Sequence, residues 1–162
     1  MKIDLPHWQR AFQRFLMSRP ATAFVQRILH HVDAILLRIS AGRLDVTRLS
    51  GLPVVEIITI GAKSGMPRSL PLAGFPDGNN IILIASNFGR AHHPGWYFNL
   101  KANPECVLSK GGRRAVFIAR EAEAQERERC WDLANSYYVG YAAYQQRAGK
   151  RKIPVMVLEP KR

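Results

Sequence analysis

The residues of this chain with the most chemical content lie in one short stretch: Ile60-Gly61-Ala62-Lys63-Ser64-Gly65-Met66-Pro67-Arg68-Ser69-Leu70-Pro71. It concentrates glycine, serine and two cations between apolar runs, where the backbone must turn. Glycines let backbone N–H groups approach an anion closely, and Lys63 and Arg68 add attraction. The stretch reads as a turn that holds a phosphate or carboxylate, with an ordinary basic hairpin loop as the alternative. It is not a Walker loop, which has Gly immediately before its Lys, where Ala62 stands here. Three further groups have chemical potential. Ala85-Ser86 closes an apolar run, His93-Pro94-Gly95-Trp96-Tyr97-Phe98-Asn99-Leu100 opens a helix, and Tyr138, Tyr141 and Tyr144 cluster late in the chain. A ligand with an anionic tail and a flat ring would need all of these parts. The turn would hold the tail by charge-assisted hydrogen bonds. Strand-end backbone groups would read the ring edge, and aromatics would wall in the ring and a second, apolar substrate.

Other chemistries find little support. His30-His31 and His92-His93 are adjacent pairs, whose side chains point in different directions, and there is no HExxH or Cys/His pairing for a metal. No Gly-x-Ser-x-Gly elbow is present. Cys106 and Cys130 form no CxxC pair and suggest no disulfide framework, so they read as reduced thiols of a cytoplasmic protein. The formal net charge of +12 predicts an anionic partner: nucleic acid, a lipid surface or a polyanionic small molecule. Arginine outnumbers lysine, which suits bidentate contacts. The basic residues are scattered without a helix-turn-helix or RNP-type signature, so nucleic acid is set aside. No secretory signal and no membrane-spanning run is expected.

The elements that must position these groups follow from apolar spacing and turn chemistry. Residues 4–18 and 22–40 have helical periodicity. The second carries a basic amphipathic face that could lie on an anionic membrane, although packing against the domain is the simpler reading. Residues 1–45 are therefore expected to be amphipathic helices on the domain and 46–162 the domain itself. Strands are expected at Val54–Ile60, Arg68–Phe75, Ile81–Ser86, Cys106–Ser109, Arg114–Ala119 and Ile153–Leu158. Pro71 marks its strand as an edge or bulge. Pro76-Asp77-Gly78-Asn79 and Gly111-Gly112 read as turns, and Gly95–Ala102 and Glu121–Ala134 as helices. Most connections are too short for crossovers, so the strands must pair as antiparallel hairpins. The fold class is α+β: a small antiparallel β-barrel with helices around it.

The motifs resemble those of the deazaflavin-dependent nitroreductases. Lys63-Ser64-Gly65-x-x-Arg68-x-x-Pro71-Leu72 looks like that family's signature turn. Ala85-Ser86 and His93-Pro94-Gly95-Trp96-Tyr97-x-Asn99-Leu100-x-Ala102-Asn103-Pro104 resemble its second signature. Tyr141-x-x-Tyr144-Gln145 and Ile153-Pro154-Val155-x-Val157-Leu158-Glu159-Pro160 resemble its C-terminal end. The likeness covers about residues 50 to 160. It implies a split β-barrel of the FMN-binding-like kind that binds coenzyme F420, with FMN or FAD as the alternative. It also implies hydride transfer to a quinone, nitroaromatic or other conjugated acceptor. By matching position, Lys63, Ser64, Gly65, Arg68 and Pro71 would hold the tail, and Ala85, Ser86 and Asn87 would lie along the ring, with Trp96 and Asn99 near. Tyr138, Tyr141 and Tyr144 would border the acceptor, with Tyr138 or Tyr141 as hydrogen-bond or proton donor. Such barrels often pair as homodimers. Two places depart from the family pattern: Ala62 stands where an arginine is common, and Asn87-Phe88-Gly89 where Lys-Gly-Gly is common.

Overall fold

The computed structural model describes residues 51–161; the helices expected at 4–18 and 22–40, and with them any membrane contact of residues 1–45, lie outside the described residues. The described chain forms strands β1 (Val54–Ile60), β2 (Pro67–Ala73), β3 (Phe75–Asp77), β4 (Asn80–Ile84), β5 (Glu105–Lys110), β6 (Arg113–Glu121) and β7 (Val155–Pro160). Its helices are α1 (Gly95–Ala102), α2 (Ala124–Tyr137) and α3 (Gly140–Ala148), with a single 3-10 turn at Asn87–Gly89. The strands make one sheet in the order β2-β1-β5-β6-β7-β4-β3. Every pairing is antiparallel.

The sheet curls because its two terminal strands are successive pieces of chain. β2 pairs with β1, then only Gly74 intervenes before β3 pairs with β4. The single strand expected over Arg68–Phe75 is thus broken at Gly74. A Cβ there would meet Val55 Cγ2 at 2.7 Å and Ile81 Cγ2 at 3.0 Å, so only glycine lets the chain pass between the two pairings. Pro71 lies on terminal strand β2, in agreement with an edge position.

Three other boundaries moved for local reasons. Pro76 and Asp77 pair with Ile81 and Asn80, so the turn narrows to Gly78-Asn79. Glu121 pairs with Met156, and the Ala122 N–H donates to Val155 O at 2.8 Å. β6 therefore runs on through Glu121 and α2 begins at Ala124, three residues later than expected. The last strand starts at Val155, because the Ile153 N–H donates to Gln145 Oε1 and Pro154 has no N–H.

Two apolar layers result. Inside the curl, alternate residues of each strand meet: Val55 and Ile57, Leu83, Cys106 and Leu108, Phe117, Met156 and Leu158. Trp96 and Leu100 of α1 join this core. On the other face, α2 packs over β3, β4 and β7. That contact explains why β7 buries Val155 and Val157 as fully as Met156 and Leu158.

Candidate cofactor site

The basic turn is the loop Gly61–Met66 closing the β1–β2 hairpin, where Ile60 and Pro67 are the last paired residues. It is tied internally by Gly61 N–H to Met66 O at 2.9 Å, Gly65 N–H to Gly61 O at 2.8 Å, and Met66 N–H to Ser64 Oγ at 3.3 Å. Gly65 has φ +65°, a left-handed conformation that glycine adopts without strain. The turn is also held from outside by Asn99 of α1. Asn99 Oδ1 accepts from the Ala62 N–H at 3.0 Å, and its Nδ2–H donates to Oγ1 of the fully buried Thr59 at 3.0 Å. Both ends of the amide are thus occupied, one by the turn and one by the strand that leads into it, so Asn99 acts here as the turn's support. Since Trp96 and Leu100 anchor α1 in the barrel core, the helix transmits a fixed position to the turn. We expect Asn99→Ala to leave a buried Thr59 hydroxyl without its donor and to lower stability by about 1–2 kcal/mol. Thermal melting would check this, and an unchanged Tm would deny Asn99 the supporting role.

What the turn leaves available fits an anion. Lys63 and Arg68 are exposed, and neither has a hydrogen-bond or ion-pair partner among the described residues. Ser64 Oγ accepts one hydrogen bond and keeps its own O–H to donate. Around Gly65 a Cβ would meet nothing within 4 Å, so the backbone is open to approach. Pro71 is exposed on β2, opposite Glu56 of β1.

The second part of the site is the segment from Ala85 to His93. Ala85 is fully buried in the barrel core and its N–H donates to Pro154 O at 2.9 Å. The chain then takes three successive left-handed residues, Asn87 (φ 46°), Phe88 (φ 57°) and Gly89 (φ 80°). Two of these are not glycine, so the bend stores about 1 kcal/mol or more at each. The substitutions that set this chain apart from the Lys-Gly-Gly pattern thus keep a glycine-like path. Asn87 Nδ2–H donates to His92 O at 2.9 Å, and the Phe88 ring meets Tyr144 edge-on at 6.0 Å. His93 stacks against Tyr97 of α1 at 4.8 Å. Tyr97 in turn donates to Glu121 Oε2 at 2.9 Å, and burial with that bond pushes its hydroxyl up to about 12. One short helix, α1, therefore positions both the turn and the segment from Ala85 to His93.

Arg151, absent from the sequence expectations, is the main polar anchor of that segment. It donates to Arg90 O (2.8 Å), Ser86 O (2.7 Å) and Ala85 O (3.3 Å), and to His93 Nδ1 at 3.1 Å. Because a guanidinium cannot accept, His93 Nδ1 must be unprotonated and Nε2 carries the hydrogen. Burial, then Arg151, hold His93 below the usual histidine range, against the pull of Glu121. The one available sequence signal was Arg151 just before Ile153-Pro154, and nothing in that spacing points to carbonyls 60 residues away.

The three tyrosines come together as a mutually packed, buried group. Tyr138 and Tyr144 share a hydroxyl–hydroxyl hydrogen bond of 2.9 Å. The Tyr141 ring meets Tyr138 at 5.3 Å, Tyr144 at 6.1 Å and Phe75 at 5.8 Å. Each is at most 6% exposed, and burial raises all three hydroxyls well above the ordinary tyrosine range. They stay protonated at neutral pH and can act as hydrogen-bond donors. Tyr144 is the one joined to the segment from Ala85 to His93, through Phe88. Trp96 lies in the barrel core at 6% exposure. Among the described residues no group of His, Cys, Asp and Glu could hold a metal, and no helix is long and apolar enough to cross a membrane.

A family model described as F420H(2)-dependent quinone reductase matches residues 29–160. An F420H(2)-dependent quinone reductase of Mycobacterium tuberculosis is 36% identical over 115 residues, which cover 68% of this chain and 76% of the relative. The solved structure of an F420-H2 dependent reductase is similar at 42% identity and a TM-score of 0.61, covering 66% of this chain and 94% of the other. A further solved chain, described as a domain-swapped dimer, is 36% identical with a TM-score of 0.62, over 85% of this chain and 98% of its own.

Proposed function

Because the chain belongs to the F420H(2)-dependent quinone reductase family, we propose that it is an oxidoreductase that moves a hydride from reduced coenzyme F420 to a quinone, with nitroaromatic and other conjugated acceptors as further substrates. The observation that carries this reading is the turn Gly61–Met66 with its flanking Arg68. It is a supported loop that offers a polyanionic tail a hydroxyl and two cations, neither of which has a partner among the described residues. When bound, the reduced deazaflavin supplies the hydride, so the protein needs neither a nucleophile nor a metal. Lys63, Ser64, Gly65 and Arg68 hold the tail, with Pro71 on the same hairpin. Ala85, Ser86 and Asn87 lie along the ring. Trp96 and Asn99 complete the site from α1, Asn99 by fixing the turn.

Tyr138, Tyr141 and Tyr144 border the acceptor, and the hydroxyl of Tyr138 or Tyr141 donates a hydrogen bond to the oxygen that gains charge. Their raised pKa values support this, since a hydroxyl that stays protonated can donate throughout the neutral range. Tyr141→Phe is expected to lower turnover about 10- to 100-fold, the range of one hydrogen bond to a charged oxygen, with cofactor affinity unchanged. Equal turnover in steady-state assays would remove Tyr141 from the chemistry.

The test of the reading as a whole is titration of the purified protein with oxidised F420, followed by its fluorescence. FMN and FAD serve as comparison ligands, and quinone and nitroaromatic acceptors follow. Binding of F420 in preference to the flavins supports it; absence of F420 binding at low salt ends it. The likeness to a domain-swapped dimer, and the partly exposed Ile60, Val116 and Ile118 on the outer face of β1 and β6, favour pairing of two copies. Light scattering would report the mass. The buried free thiols Cys106 and Cys130 accord with a reducing, cytoplasmic setting.

A further inference from the structure

We propose that Arg151 is the positioning residue of the ring-side segment. Its guanidinium holds residues 85–93 in the strained course along which the deazaflavin ring would lie, and it brings to that segment a positive charge that no carboxylate of the described residues offsets. The proposal rests on the F420 reading above and assigns a role in it to a residue that touches neither tail nor acceptor.

Three observations carry it. Arg151 uses four of its five N–H groups, on the carbonyl oxygens of Ala85, Ser86 and Arg90 and on His93 Nδ1. These acceptors are spread over nine residues of chain that bend sharply in between, and a planar fork of fixed donors matches them where a single ammonium could not. Second, the bend is a strained one. Asn87 and Phe88 have positive φ, and such conformations persist only where the surroundings over-determine them. Inside the bend the backbone bonds are two, Gly89 N–H to Ser86 O at 2.9 Å and Arg90 N–H to Asn87 O at 3.0 Å. The Ser86 carbonyl thus receives both a bond of the bend and one from Arg151, so the guanidinium clamps the hinge of the turn itself. Third, the acceptors are all neutral. No carboxylate pairs with Arg151 among the described residues. A partly buried guanidinium without a counter-ion keeps its field, and that field favours electron density on a ring lying over the carbonyls it polarises.

The departure at residues 87 and 88 gives this anchor its purpose. Glycine in place of Phe88 would adopt its part of the bend without strain, and lysine in place of Asn87 would bring its own charge. With Asn87 and Phe88 in place, the strain must be held and the charge must come from elsewhere. Arg151 supplies both.

The test compares the full-length protein with Arg151→Lys and Arg151→Ala. Three readouts are needed: F420 fluorescence titration, hydrogen exchange of residues 84–93, and thermal melting. We expect Arg151→Lys to keep most of the cation but to lose the fork. Exchange in 84–93 should rise at least about 10-fold while strand amides stay protected, and F420 affinity should fall about 10-fold. Arg151→Ala should lose more, and added ethylguanidinium should restore part of the binding, which a general loss of stability would not allow. The proposal is overturned if either variant binds F420 as tightly as the unsubstituted protein, or if exchange in 84–93 is unchanged. It also falls if rescue fails although Arg151→Ala melts normally. Failure of the unsubstituted protein to bind F420 would remove the reading beneath the proposal and the proposal with it. Binding by the unsubstituted protein and by both variants alike would remove the proposal alone.

Discussion

Replacing Gly89 by alanine is expected to cost about 2–5 kcal/mol of stability and to abolish tight F420 binding. Two effects act together at this position. Gly89 has φ +80°, which any residue with a Cβ adopts only under strain, and the added Cβ would lie 2.6 Å from Tyr144 O and 2.7 Å from Arg147 Cβ. The first contact is with backbone, which cannot swing aside. Either the 3-10 turn must leave α3 or α3 must shift, and α3 carries Tyr141 and Tyr144. Gly65 provides the internal comparison. It has a similar φ of +65° but open space around it, so Gly65→Ala should cost only the backbone strain, about 1 kcal/mol. Melting curves of the two variants separate the contributions. If Gly89→Ala melted within a few degrees of Gly65→Ala, the close packing of the 3-10 turn on α3 would be refuted.

The second large effect is expected at the cations of the turn. Lys63→Ala and Arg68→Ala should each weaken F420 binding about 10- to 100-fold, the range of one charge-assisted hydrogen bond to an exposed anionic ligand. Both should also flatten the salt dependence of binding, because each removes one screened attraction. Stability should hardly change, since neither side chain has a partner among the described residues. That combination separates a ligand contact from a structural one. Asn99→Ala, by contrast, should lower both Tm and affinity, because it removes the support and leaves the cations in place. Equal affinity in Lys63→Ala and Arg68→Ala would mean that the tail is held elsewhere.

Much of the frame could be read from residue order. α1 runs from Gly95 to Ala102 as expected, since Pro94 precedes it and Asn103-Pro104 ends it. The β5–β6 hairpin turns on Gly111 and Gly112, both with positive φ. The antiparallel barrel followed from connections too short for crossovers. Features that depend on contacts distant in sequence could not be read. Gly74 looks like one more strand residue until Val55 and Ile81 close on either side of it. The start of α2 depends on Glu121 finding Met156, about 35 residues later, and local helix propensity yields to that ladder. Matching position places Asn99 only near the ring, and it takes its bonds to Ala62 and Thr59 to show that it supports the turn. Arg151 sits between Lys150 and Lys152 in an unremarkable basic triplet. Its four acceptors lie 58 to 66 residues away, and three of them are main-chain oxygens that no residue pattern records.

The bend at Gly74 has a consequence for how copies of this chain can meet. It makes β2 and β3 the only strands of the described sheet with a vacant side, and these two carry Pro67, Pro71 and Pro76. Proline offers no N–H to a visiting strand, so each of these margins has gaps that weaken main-chain pairing with an added chain. Growth by adding strand to strand along the hydrogen-bonding direction, the route to fibrils, is thus hindered at both margins. Two molecules can instead associate through side chains on their outer faces, or by exchanging a whole segment so that no margin is left open.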